Sequence, residues 1–491
     1  MHRVAAMKFK IVFGVLSLVC VIVAAAMLPS ICIALYDGSH VVGAFAFSFM
    51  SAISLAVFLS LPVLSTKEKF NQKIGIREGV GIVGFAWIVA SGIGAMPFYF
   101  GANVGYSDAF FETMSGFTTT GATIFSEIEA LPRAILLWRS LTHWIGGMGI
   151  IVLSLAVLPF LGVRGMELYK AEVPGVNAEK ITPRLHQTAS RLWILYVAFT
   201  LAETILLKIS GMSIFDAFCH SCSTIATGGF STKNNSIAYY SSPFIQWIII
   251  IFMFMSGINF SLYFLIWSKK FREFFEDQEL RAYFEIVIFA IVSMSVALYF
   301  SGNFTGLEST IRRTAFHVVS VITTTGFVSE DYNLWHEFAK FLFVLLMFIG
   351  ACGGSTGGGC KVSRFLLLGR LLSTECKKLL HPRAVITARL NSKPISASTT
   401  NSAGAFFVLY MLILVGATLF TTAFNIDLLT AFTGVLTCLS NVGPGLSRLG
   451  PVENFSWLPN SVKWVFSFCM LAGRLELFAV ILLFLPGTYR K

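Results

Sequence analysis

The chain has 491 residues; 56% are hydrophobic, only 12% are charged, and the net charge is +11. An ordinary soluble domain carries about 25% charged residues, and a soluble chain of this length would show polar linkers between domains, so a soluble protein is excluded. Nucleic-acid binding is excluded by where the charge lies: basic residues such as Lys8, Lys10, Lys67, Lys73, Arg164, Lys180, Lys269, Lys270, Lys377 and Lys378 collect in alternate loops between apolar runs. That alternation is the positive-inside pattern of an inner-membrane protein and puts both termini in the cytoplasm.

In chain order, a basic start leads into an apolar run over about residues 11–36, too long for a cleaved signal sequence and read as a retained helix. A second span follows at about 40–64, so residues 1–70 form two leading transmembrane spans. The rest falls into four units, 71–175, 176–270, 271–395 and 396–491. Each reads as a span, a half-span of about 12–15 residues, a glycine-containing break and a second span. Half-spans of that length cannot cross roughly 30 Å of hydrocarbon and are re-entrant candidates. The expected fold is an all-α polytopic membrane protein with ten spans, in which four span–pore-loop–span repeats surround a pseudo-fourfold pore. Irregular backbone survives at membrane depth only inside protein or beside water, so four breaks call for a shared aqueous axis.

Aligned on their glycines, the breaks read Phe117-Thr-Thr-Thr-Gly121, Thr224-Ile-Ala-Thr-Gly228, Ile322-Thr-Thr-Thr-Gly326 and Leu439-Ser-Asn-Val-Gly443. Rings of backbone carbonyls replace the hydration shell of a monovalent cation in potassium channels, and glycine permits the backbone such a ring requires. Thr119, Thr120, Gly121, Ala226, Thr227, Gly228, Thr324, Thr325, Gly326, Asn441, Val442 and Gly443 are therefore the candidate ligands of a monovalent cation, K⁺, Rb⁺ or Na⁺. The fourth break is atypical in its Asn441 and Pro444. None of the four carries a carboxylate, which argues against divalent cations.

The spans after the breaks contain Gly146–Gly149, Ser256–Asn259, Gly350–Gly359 and Ala472–Glu476, and each is expected to break near its middle. The third has the most glycine and cannot hold a stable helix. It superficially looks like a phosphate-binding loop but lacks the Gly-Lys-Ser/Thr ending. Gly353, Gly354, Ser355, Thr356, Gly357, Gly358 and Gly359 are candidates for a flexible gate; close helix packing on small residues is the competing reading. Arg474 lies mid-span, where a charge needs a partner or water; it is either a positive barrier in the inner pore, shared with Lys361, or half of an ion pair with Glu476. Asp108, Asp216, Glu308 and Asp427 start the half-spans, where they can cap helix N-termini or attract cations. Cys219 and Cys222 form a C-x-x-C without a second pair and read as packing residues, with no disulfide framework expected.

The motifs Ser115-Gly-Phe-Thr-Thr-Thr-Gly-Ala-Thr123, Ala226-Thr-Gly-Gly-Phe-Ser-Thr232, Thr323-Thr-Thr-Gly-Phe327, Gly353-Gly-Ser-Thr-Gly-Gly-Gly359 and Asn441-Val-Gly-Pro-Gly445 together resemble the Trk/Ktr/HKT potassium-uptake superfamily. The resemblance covers nearly the whole chain and is greatest to its bacterial TrkH/TrkG branch. It implies a potassium-selective filter at Gly121, Gly228, Gly326 and Gly443, with Gly121 rather than serine favouring potassium over sodium. It implies a gating loop at the glycine-rich stretch and an inner-pore arginine at Arg474. It also implies homodimers with one pore per protomer and a cytosolic nucleotide-binding regulatory ring of the TrkA type; membrane lipids surround the protein. K⁺ is the transported ion, and no cofactor is expected.

Two other functions remain in view. A symporter coupled to sodium or protons would use buried acids, for which Glu203 and Glu476 are the midspan candidates. An intramembrane enzyme has no support: no H-E-x-x-H occurs and no Ser/His/Asp set can be singled out.

Overall fold

The computed structural model describes residues 8–64, 76–157, 181–301, 306–383, 389–391, 393–475 and 477–486. Helices dominate. α1 (Phe9–Tyr36) and α2 (Val42–Leu64) form an antiparallel pair, and α1 also packs on α3 (Ile76–Gly94) and on α6 (Arg133–Val157).

From α3 onward one pattern occurs four times. α3 and the short α4 (Met96–Gly101) lead to α5 (Tyr106–Phe117), a break, and α6. α7 (Ile181–Ile209) leads to α8 (Ile214–Ile225), a break, and α9 (Pro243–Ser256), which continues past a bend of 89° into α10 (Tyr263–Trp267). After α11 (Phe271–Glu276), α12 (Gln278–Phe300) leads to α13 (Leu307–Ile322), a break, and α14 (Glu337–Ile349). α15 (Val362–Leu380) and a two-stranded hairpin, β1 (Arg389–Leu390) with β2 (Lys393–Pro394), precede α16 (Ala397–Thr422). α16 leads to α17 (Leu428–Ser440), a break, α18 (Asn460–Arg474) and α19 (Leu477–Phe484).

The long helices turn apolar rows outward. Val408, Leu412, Val415 and Leu419 are all exposed along α16, the lipid-facing pattern of a spanning helix. The short helices are buried: α17 hides Thr433 to Ser440 completely behind the outer helices. A segment of 12 residues such as α5 extends only about 18 Å, at 1.5 Å per residue. It reaches the centre and stops.

Among the described residues, six helices are long and apolar enough to cross a membrane, or up to eight if each of two bent pairs counts as one span. The other two expected spans fall on α6 and on α14, which stops at Ile349. The expectation that all four inner spans break needs correcting. α6 runs unbroken through Gly146–Gly149. Its glycines serve close approach: a Cβ on Gly146 would strike the Phe117 carbonyl, and one on Gly147 would sit 2.8 Å from Ala226 Cα. A helix that packs backbone to backbone needs small residues without losing its own hydrogen bonds.

The acids at the half-span starts take different roles. Asp427 is a true N-cap, accepting from Thr430 N at 2.9 Å. In α8 the cap is Ser213, whose hydroxyl accepts from Asp216 N at 3.0 Å. Asp108 pairs with Lys463 Nζ at 2.5 Å, and Glu308 pairs with Arg312 at 2.8 Å. None of the nine cysteines, all of which are among the described residues, forms a disulfide.

Candidate functional site

The four short helices end in the same way. Each terminates where a non-glycine residue enters the left-handed region: Thr119 (φ 53°), Thr227 (φ 54°), Thr324 (φ 60°) and Asn441 (φ 56°). Such residues close helix C-termini by freeing the backbone to turn. Two residues on stands a glycine of positive φ: Gly121 (82°), Gly229 (80°), Gly326 (76°) and Gly443 (102°). Between them lie Thr120, Gly228, Thr325 and Val442, whose amides bond back to Ser115, Ser223, Ser320 and Thr437 at 2.8–2.9 Å.

These equivalences shift the second repeat by one residue. Sequence alignment sets Gly228 beside Gly121, whereas the backbone sets Gly229 there and gives Gly228 the place of Thr120. Two adjacent glycines hide the register. Gly228 is small for a separate reason: a side chain there would collide with the His143 ring, which stacks on Phe230 with centroids 4.0 Å apart. His143 on α6 went unremarked in the sequence because one histidine in an apolar run carries no pattern.

The breaks meet in a closed ring. A Cβ added to Gly121 would run into the Gly228 carbonyl oxygen, one on Gly229 into that of Thr325, and one on Gly326 into that of Val442. One on Gly443 would come 2.6 Å from the Thr120 carbonyl, which closes the circle. Each glycine therefore faces a carbonyl of the next repeat. Helix C-termini carry partial negative charge, and four of them end beneath this ring of oxygens. The hydroxyls of Thr120 and Thr325 are engaged sideways, to Thr118 and Thr323 at 2.8 Å each. Asn441 Nδ2 donates to Thr120 Oγ1 at 3.0 Å and to the Met470 carbonyl at 2.9 Å, joining the first and fourth repeats to α18. Thr119 Oγ1 and Asn441 Oδ1 are buried without a hydrogen-bond partner. Ala226, by contrast, ends α8 in helical conformation and bonds back to Cys222.

A cavity of about 310 Å³ lies on one side of the ring, lined by Gly121, Gly229, Gly326 and Gly443, with Arg139, Lys233 and Glu453 at its edge. Arg139 is buried and pairs with the fully buried Glu112 at 2.8 Å. It also donates to the Ser231 carbonyl at 3.0 Å and stands 4.2 Å over the Phe230 ring. Glu112 accepts from Ile124 N at 2.9 Å and from Thr123 Oγ1 at 3.0 Å. This ion pair ties the chain after the first break to the chain after the second. An acid in a half-span followed by an arginine in the next span was the available sequence signal.

The glycine-rich stretch lies on the opposite side of the ring. The chain leaves α14 at Gly350 and takes positive φ at Gly350, Gly354, Gly359 and Lys361. Gly358 N donates to Thr324 Oγ1 at 2.6 Å, directly at the end of α13. Thr356 Oγ1 donates to the Ile225 carbonyl at 3.0 Å and to that of Ser256 at 3.3 Å. Phe260 N donates to the Gly354 carbonyl at 3.1 Å, and Cys352 N donates to that of Gly257 at 3.0 Å. Arg474, 4% exposed, reaches the loop from α18: Nη1 donates to the Thr356 carbonyl at 2.6 Å and Nη2 to that of Gly146 at 3.4 Å. Lys361 Nζ folds back to the Gly357 carbonyl. Glu476 lies outside the described residues. The loop therefore touches the second, third and fourth repeats while sitting under the ring, and Arg474 links it to Gly146 of the first.

The family model described as "TrkH: Cation transport protein" matches residues 44–488. The chain is similar to the Trk system potassium uptake protein TrkH of Escherichia coli K12, 39% identical over 99% of this chain and 100% of that one. It is 35% identical to TrkG of the same organism, over 87% of this chain and 88% of the other. The crystal structure of the potassium transporter TrkH from Vibrio parahaemolyticus superposes with a TM-score of 0.89 at 34% identity, covering 99% of this chain and 100% of that one. By family model, full-length similarity and superposition, the chain belongs to the TrkH family of cation transport proteins.

Proposed function

We propose that this chain takes up K⁺ by conducting it through the carbonyl ring of Thr120, Gly228, Thr325 and Val442 and past the glycines Gly121, Gly229, Gly326 and Gly443. The observation that carries this reading is the head-to-tail contact of four glycines with four carbonyls. It supplies oxygens from every side to an ion that has shed its water. The loop 353–359 is the gate, and Arg474 holds it beneath the ring while placing a positive charge on the path. Arg474 donates to backbone carbonyls, which favours the barrier and anchor role over an ion pair.

The relatives' name, Trk system, carries the expectation of partners. A cytosolic nucleotide-binding ring of the TrkA type acts on the cytoplasmic side, where Lys269, Lys270, Lys377 and Lys378 lie, and the chain works as a homodimer with one pore per protomer. Both termini are cytoplasmic. Coupling to sodium or protons is not required energetically: 100 mV inside-negative is worth about 2.3 kcal/mol per charge, roughly a fiftyfold accumulation.

⁸⁶Rb⁺ flux into proteoliposomes under an imposed potential, with and without Na⁺ and a pH gradient, tests this function in wild type and Gly121→Ser. Flux that follows voltage alone and excludes Na⁺, with Na⁺ admitted by the variant, is the expected result. Flux that requires Na⁺ or a proton gradient would overturn it.

A further inference from the structure

We infer that Glu279 is a clasp that closes the glycine-rich loop at both of its ends and connects it to the hairpin β1–β2; the inference rests on reading the loop as the gate. Glu279 lies in the first turn of α12 and is 6% exposed. Its Oε1 accepts from Gly353 N at 2.7 Å and from Ser363 N at 2.9 Å. One carboxylate oxygen thus grips the chain where the loop begins and where α15 starts, ten residues apart in sequence, with Gly354 to Gly359 and Lys361 between the two points. N–H bonds to a carboxylate are shorter and stronger than neutral ones. A loop rich in glycine loses more backbone freedom on ordering than any other sequence, so fixing its two ends at one atom is an economical way to keep it under the ring.

The same helix turn is held from the other side. Asp277 caps α12 by accepting from Leu280 N at 2.9 Å. Asn391, in the turn between β1 and β2, donates to Asp277 Oδ2 at 2.8 Å and accepts from Gln278 N at 2.8 Å. A displacement of the hairpin therefore pulls on the turn that carries Glu279. Glu279 is a positioning residue: it touches the loop and acts on the ion path through it.

The native cysteines report on the clasp. Cys352 and Cys360 flank the loop and are buried at 0% and 1% exposure. In full-length protein in proteoliposomes, Glu279→Ala is expected to raise N-ethylmaleimide labelling of Cys352 and Cys360, read by peptide mass spectrometry, and ⁸⁶Rb⁺ influx by about a hundredfold each, the loss of two charge-assisted bonds. Labelling of Cys219 and Cys438 stays unchanged. Glu279→Gln, which keeps an acceptor oxygen, falls in between, and Asn391→Ala gives a smaller rise in the same two cysteines. Unchanged labelling in Glu279→Ala, or a rise at all four cysteines together, overturns the clasp. Should Glu279→Ala not fold, equal labelling of wild type, Glu279→Gln and Asn391→Ala would overturn it as well. Failure of the gate itself reads differently: deletion of residues 353–358 would then leave flux unchanged whatever the labelling shows.

Discussion

The ring and the loop beneath it are both built on glycine, yet side chains take a much larger share in holding the loop. In the ring each glycine faces a neighbouring backbone carbonyl, and the positions are fixed by helix ends and by amides bonding back into their own helices. In the loop, most attachments run through removable side chains: Glu279, Thr324, Thr356, Lys361 and Arg474. Backbone against backbone leaves no adjustable contact. Side-chain tethers can be released one at a time, each worth about 0.5–3 kcal/mol. On the proposed gating role one glycine-rich region is made to stay and the other to leave, and substitutions in the two should have different signatures.

The largest effects belong to the ring. Gly229→Ala meets both positive φ and the Thr325 carbonyl, with no side chain able to yield, and should abolish selective ⁸⁶Rb⁺ flux. Gly228→Ala meets only the His143 ring, so His143→Ala should restore much of its flux and none of that lost in Gly229→Ala. Equal rescue of both would undo the assigned register. Next is the brace behind the ring. Arg139→Met leaves Glu112 buried and uncompensated, a loss of about 3–5 kcal/mol; the double variant with Glu112→Leu should recover most of it in thermal unfolding. A smaller effect is expected in the loop, where Arg474→Ala should raise K⁺ flux by about tenfold or less, the worth of its carbonyl bonds. A fall in flux with a lower melting temperature would instead make Arg474 structural.

How much of this was legible depended on the kind of signal. The four half-spans could be read because a run of about 12–15 residues ending in a glycine break, Thr-Gly in three units and Val-Gly in the fourth, cannot be a spanning helix. The loop could be read because its glycine density forbids helix. The Gly146–Gly149 segment misled because composition alone does not tell a glycine that unwinds a helix from one that lets two backbones touch. The register of the second break was hidden by Gly228-Gly229, where either glycine satisfies the pattern. Glu279 is a tertiary partner: nothing in its own neighbourhood shows that a carboxylate must reach a backbone amide 74 residues away, as Glu279 does with Gly353.

The smallest expected effect sharpens the same contrast. Glu203 on α7 is fully buried, with the Thr224 side chain beside its carboxylate. It does not line the cavity above the ring. If transport were proton-coupled, this acid would carry the proton, and Glu203→Gln would remove the dependence of flux on a pH gradient. If the ring alone conducts, the substitution exchanges one buried polar group for another away from the ion path. It should then leave voltage-driven ⁸⁶Rb⁺ flux and its K⁺/Na⁺ preference within about twofold of wild type, as for a substitution outside the transport machinery. A loss of flux in Glu203→Gln with unfolding unchanged would place a functional acid behind α8 and transfer part of the transport mechanism from backbone carbonyls to a titrating side chain.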